Sequence, residues 1–157
     1  MSFVSKKQNI KAREAVYART RKRWEECVMT KFRHLLDQGI IPSAEDILRE
    51  CVPEKYKEYS KLKQSYLRLK EEIGKIEKII LDRIGERSMN HVLIDLEERK
   101  IIINVAAFGY QNELNVVTRT VKMDDELYEL CRRYKGLLKQ LFRIQDKLWE
   151  ISNEYTL

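Results

Sequence analysis

Apolar residues recur every three or four positions along most of this chain, and in two stretches the rhythm never breaks. Tyr59, Leu62, Tyr66, Leu69, Ile73, Ile76 and Ile80 form one row, predicting a central helix over about residues 54–87. Leu127, Leu130, Tyr134, Leu137, Leu141, Ile144, Leu148 and Ile151 form another, predicting a C-terminal helix over about 124–155. Both rows have heptad spacing, so each needs a partner helix. The two can pack on each other or each on a second copy, and the pattern does not choose.

Helical spacing also links Trp24, Cys27, Val28, Phe32, Leu35 and Leu36. No Pro or Gly interrupts residues 5–38, so the pattern predicts a first long helix ended by Gly39. "PSAEDILREC" predicts a short helix with Ser43 as N-cap and Asp46 three residues later. Pro53 closes it and opens the next helix.

Between the two heptad rows the texture changes. "HVLIDLE" alternates, "IIINVAAF" is apolar and β-branched, and "LNVVTRTVKM" alternates again. With turns at "ERK" and "GYQNE", residues 91–122 predict an antiparallel three-stranded meander with Val92, Ile94 and Leu96 on one face. A sheet this small needs helices to cover it, and an open edge can pair across a dimer. The expected fold class is α+β: long amphipathic helices packed with a three-stranded antiparallel β-sheet, in a single domain spanning 1–157.

Composition narrows the class of protein. Hydrophobic residues make up 43 % of the chain and charged residues 36 %, too apolar for disorder. No apolar run reaches the roughly 20 residues that span a bilayer, and no apolar signal core opens the chain. The expectation is an intracellular protein with no membrane partner. Abundant Lys, Glu, Arg and Ile suit a heat-adapted protein. Cys27, Cys51 and Cys131 are odd in number and widely spaced, which favours core filling over a disulfide or zinc framework.

Charge changes the picture more. The net charge is +6, but Lys6, Lys7, Lys11, Arg13, Arg19, Arg21, Lys22 and Arg23 face only Glu14 over residues 1–23. The basic N-terminal arm (residues 1–24) thus holds +7, leaving −1 for the rest. Such an arm is the footprint of a polyanion, most often nucleic acid, and the aromatic Tyr17 and Trp24 lie among its cations. Trp24 also opens an apolar stripe, which favours a core position over base stacking. An acidic protein partner is the other occupant the arm would suit.

Two histidines, His34 and His91, lie far apart, and no Gly-rich phosphate loop is present, which removes the common His-metal and nucleotide sites. What remains is carboxylates beside cations, the combination that phosphodiester hydrolysis uses. In "IILDRIGERSMN" the central row runs out into Asp82, Arg83, Glu86 and Arg87 around Gly85. On a continuing helix Asp82 and Glu86 would share one face, with Arg83 and Arg87 in the adjacent row. Glu86 is the candidate base or metal ligand, with Asp82, Arg83 and Arg87 in support. The competing reading is a solvated helix end, with Gly85 as the residue that stops the helix and ion pairs worth under ~1 kcal/mol each. "IDLEERK", with Asp95, Glu98 and Lys100, loosely matches a metal-nuclease element but reads more simply as an exposed turn.

With "KKQNIKAREAVYARTRKRW" and "DRIGERSMN" in view, the whole chain resembles the small nucleases of filamentous viruses that infect the hyperthermophilic archaeon Acidianus. The resemblance lies in overall sequence and length. It implies an α+β homodimer in the host cytoplasm that cleaves linear double-stranded DNA through an acidic residue, and Glu86 is the position that takes this role. Mg²⁺ or another divalent cation is the expected cofactor, with no small-molecule cofactor. The alternatives are a non-catalytic DNA-binding or packaging protein, and a helical adaptor for an acidic partner.

Overall fold

Five helices and one sheet make up the residues that the computed structural model describes, 23–108 and 114–157. The helices are α1 (23–31), α2 (Arg33–Asp37), α3 (Ala44–Cys51), α4 (Pro53–Ile84) and α5 (Asp125–Glu154). Strands β1 (Val92–Asp95), β2 (Lys100–Phe108) and β3 (Leu114–Lys122) lie between α4 and α5, after a 3₁₀ turn at Met89–His91. This is the α+β arrangement the periodicities predict. The "GYQNE" turn and the arm before Arg23 lie outside the described residues. Contacts divide the chain into two compact units, one running to Lys63 and including Asp146–Leu157, the other spanning Gln64–Gln145.

In the first unit Trp24, Val28, Ile47, Leu48, Ile151 and Tyr155 form the core. Trp24 is a core residue, its ring edge-on to Tyr155 at 5.6 Å. The expected single helix bends at Phe32, and α2 begins one residue later. With that bend Phe32 and Leu36 both pack against the same core. Gly39, at φ +75°, then reverses the chain, and the Ile40 amide reaches back to the Leu35 carbonyl at 2.9 Å. Ser43 caps α3 as expected, its hydroxyl accepting from the Asp46 amide at 3.2 Å. Pro53 opens α4, where its missing N–H costs nothing.

The cysteines depart from expectation. Cys27 of α1 and Cys51 of α3 form a disulfide, with Cα atoms 5.7 Å apart. They are 24 residues apart in sequence, so only the packing of α1 on α3 brings them together. Cys131 is free and buried, as a core-filling cysteine should be.

In the second unit Ile73, Ile76, Ile80 and Ile84 of α4 share one core with Leu127, Cys131 and Tyr134 of α5. The heptad rows therefore close on each other within one chain. Arg133 pairs with Glu72, and the Tyr134 hydroxyl donates to Glu77 at 3.2 Å, beside that seam. Burial, followed by the Glu77 carboxylate, pushes the Tyr134 phenol up to about 12.

The sheet has the order β1-β2-β3, antiparallel throughout. Its register aligns Ile94, Ile101 and Val121 in one row and Val92, Ile103 and Arg119 in the next. Alternation puts both rows on the same face, and Ile94, Ile101 and Ile103 are buried in the core. One step further along that face Val105 pairs with Val117, and both are exposed, at 43 % and 57 %. Leu93, on the opposite face, is exposed too. Helices thus cover one face of the sheet, and only as far as Ile103 and Arg119.

Candidate functional site

The α4 helix ends at Ile84 because Gly85 takes φ +73°, a left-handed conformation that suits glycine. The Glu86 amide then donates back to the Leu81 carbonyl at 3.0 Å, the closing bond of a Schellman turn. Asp82 and Glu86 therefore do not share a helical face, and neither do Arg83 and Arg87. The i, i+4 rows expected for "DRIGERS" would need the helix to continue through Gly85, and it does not.

What holds Glu86 is a residue the sequence reading passed over. Arg119 of β3 donates from Nη2 to Glu86 Oε1 at 2.9 Å and to the Ile84 carbonyl at 2.7 Å. One nitrogen thus satisfies an orphan carbonyl at the helix end and fixes the carboxylate just beyond it. The side chains are 28 % exposed for Glu86 and 50 % for Arg119, so the pair is accessible from solvent. A signal for Arg119 was present: in "VTRTV" it takes a place in the row of Val117 and Val121, where a charge needs a partner.

Arg83 is engaged elsewhere. Its Nη2 lies 3.2 Å from Asp124 Oδ2 and 3.4 Å from Glu126 Oε2, at the start of α5. Asp124 is the N-cap, its Oδ1 accepting from the Leu127 amide at 2.7 Å. That amide bond, then the Arg83 guanidinium, lowers the Asp124 pKa below the usual carboxylate value. Asp124, Asp125 and Glu126 serve the helix terminus and its neighbouring arginines, as first-turn acids do. Asp82 and Arg87 are exposed and form no ion pair among the described residues.

The "LEERK" segment is a tight turn between β1 and β2. Asp95 Oδ1 accepts from the Glu98 amide at 3.1 Å, and Arg99 takes φ +48°. The Arg99 guanidinium stacks 4.3 Å from the Tyr128 ring centre and pairs with Asp125 at 3.3 Å. Arg99 thus holds the turn against α5.

An open groove of about 550 Å³ lies elsewhere in the same unit, lined by Arg68, Glu71, Glu72, Lys75, Ile79 and Arg133. Its Lys75–Glu71 and Arg133–Glu72 pairs offset one another, which leaves it without a strong sign of charge. Among the described residues no three His, Cys, Asp or Glu side chains are grouped as metal ligands would be. No helix among them is long and apolar enough to cross a membrane. Of the arm's cations only Arg23 is described, exposed at the start of α1. Lys6, Lys7, Lys11, Arg13, Arg19, Arg21 and Lys22 lie outside the described residues.

Fold and site together define an α+β protein with an accessible carboxylate–guanidinium pair where its longest helix meets the rim of its sheet. Compared with protein families, with curated proteins and with solved structures, the chain matches none of them.

Proposed function

We propose that this protein is a nuclease that hydrolyses phosphodiester bonds of linear double-stranded DNA, with Glu86 as its catalytic carboxylate. The observation that carries this reading is the placement of Glu86 just past the α4 terminus, clasped through Oε1 by Arg119 and open to solvent. Among the described residues Glu86 Oε2 has no partner, and it is the oxygen that would take a proton from attacking water. The same oxygen suits a divalent cation such as Mg²⁺, which keeps several waters and binds through one or two carboxylates plus substrate phosphate.

The supporting roles shift from those expected from spacing. Arg83 already faces two carboxylates, so it orders the helix ends, and exposed Arg87, which has no ion pair among the described residues, is the cation of "DRIGERS" for a phosphate. Asp82 has no ion pair among the described residues and has no assigned step. The N-terminal arm, +7 over residues 1–23, contributes phosphate contacts that position the duplex without reading its sequence. Two copies about a two-fold axis would set two such sites along one duplex. An intracellular setting is compatible with the Cys27–Cys51 disulfide in a hyperthermophile, where cytosolic disulfides are common.

The second reading is a non-catalytic DNA-binding or packaging protein. Its support is that the Glu86–Arg119 pair also caps a helix, a structural task needing no substrate. An adaptor for an acidic partner would have to rely on the arm, since the heptad rows pack on each other.

Incubating linear double-stranded DNA with wild type and with Glu86→Gln, each in Mg²⁺ and in EDTA, tests the proposal. The expected result is cleavage by wild type and none by a folded Glu86→Gln, with the EDTA lanes reporting the metal requirement. Equal cleavage by both moves the site away from Glu86. Gel shifts without cleavage by either would establish the binder.

A further inference from the structure

We infer that Arg119 is a phosphate-holding residue of the Glu86 site, binding a non-bridging oxygen of the scissile phosphodiester while it fixes the carboxylate. This rests on the nuclease reading and deepens it by adding a substrate contact on β3. A guanidinium has five N–H donors in a rigid fork. Arg119 spends the two on Nη2, one on the Ile84 carbonyl and one on Glu86. Among the described residues the donors on Nη1 and Nε have no acceptor, and half of the side chain is exposed.

Those spare donors lie on different sides of the group, since the edge between Nε and Nη1 carries Cδ, so a phosphate oxygen takes a single charge-assisted hydrogen bond from Nε–H or from a free Nη1 hydrogen. The Nη2 bonds immobilise the group, so little side-chain freedom remains to be lost on binding. They also set the distance between a phosphate on a spare donor and the Glu86 carboxylate, which is what in-line attack by an activated water requires.

The surface next to Arg119 leaves room for such a ligand. Along its own face of the sheet the buried row ends at Ile103, opposite Arg119, and the next pair, Val105 and Val117, is exposed. These small β-branched side chains offer an uncharged ledge against which a sugar–phosphate backbone can lie without like-charge repulsion. Arg119 thus stands where packed core gives way to open sheet, a position that capping α4 does not by itself require.

The test is a binding experiment in two backgrounds. A labelled short linear DNA duplex is titrated with wild type, Arg119→Gln, Glu86→Gln and the double variant at several salt concentrations in EDTA. If Arg119 touches phosphate, Arg119→Gln weakens binding roughly tenfold in both backgrounds. The slope of log affinity against log salt should also flatten by about 0.9, the signature of one lost phosphate contact. Unchanged affinity and slope, with only the melting temperature lowered, would reduce Arg119 to a helix cap and overturn the inference.

Should Arg119→Gln not fold, the Nε–Hε resonance of Arg119 in Glu86→Gln carries the test by NMR. A shift on adding the same duplex supports the contact, and an unmoved resonance overturns it. If wild type never cleaves DNA yet Arg119→Gln still binds it less tightly, the nuclease reading falls and the phosphate contact stands.

Discussion

Arg83 near the end of α4 lies 3.2 Å from Asp124, the residue that caps α5. Two helix termini of opposite dipole are therefore joined through one ion pair, with the cation at a C-terminus and the anion at an N-terminus. The folded protein holds Asp124 at a lowered pKa, through the Leu127 amide and then Arg83. The stability this contributes is present above the unfolded aspartate value, near 3.8, and is lost as pH falls below it. Melting temperatures recorded from neutral pH down through that range should fall less steeply for Asp124→Asn than for wild type. Parallel curves would mean that the charge on Asp124 does not matter.

The disulfide makes a second prediction. Cys27 and Cys51 close a loop across α1, α2 and α3, and cross-links of that span stabilise by about 3 kcal/mol through the unfolded chain. Cys27→Ser/Cys51→Ser should lose roughly that amount in denaturant titrations. Reductant should destabilise wild type similarly and leave the double variant unchanged. Without reductant, thiol titration of the unfolded protein should find only Cys131. In the folded state that thiol should resist alkylation, because burial pushes it up to about 11.

Gly85 tests the architecture of the site. A Cβ added there meets nothing within 4 Å, so the cost of Gly85→Ala is backbone strain alone. Holding alanine at φ +73° should destabilise by about 1–2 kcal/mol. Gly85→Asn should cost less, since asparagine tolerates left-handed geometry better. Chemical denaturation of the three proteins gives the ranking. A loss of cleavage beyond the loss of folded protein would tie the turn to the geometry of Glu86.

Much of this fold is legible in the pattern of apolar positions, because helices and strands with one buried face print their period on the sequence. Ile73, Ile76 and Ile80 could not have been placed otherwise on a helix, nor Ile94, Ile101 and Val121 on anything but a sheet. Ser43, Pro53, Gly39 and Gly85 mark boundaries through backbone chemistry that is local. The partners were not legible. Cys27 meets Cys51, and Arg119 meets Glu86 across 33 residues, only after tertiary packing. Heptad spacing could not say that the two rows close within the chain. At "DRIGERS" the helical wheel misled, because it continued a period through a glycine that stops it.

The basic arm gives the sharpest separation between binding and chemistry. Residues 1–22 carry seven of the eight arm cations, whereas Glu86 and Arg119 lie in the unit spanning Gln64–Gln145. Under the proposed function the arm supplies phosphate contacts and the site supplies hydrolysis, so its removal should affect them unequally. Deleting residues 1–22 should weaken binding to linear duplex DNA at least tenfold at moderate salt, with a flatter salt dependence, since each lost contact removes about 0.9 from the slope. At saturating DNA the cleavage rate should stay near that of the full chain, because no arm residue is asked to touch the reacting phosphate. Anisotropy titrations across salt concentrations, paired with single-turnover cleavage, measure both quantities. An unchanged slope would mean that the arm meets some other acidic surface. A collapse of the saturated rate would bring the arm into the active site.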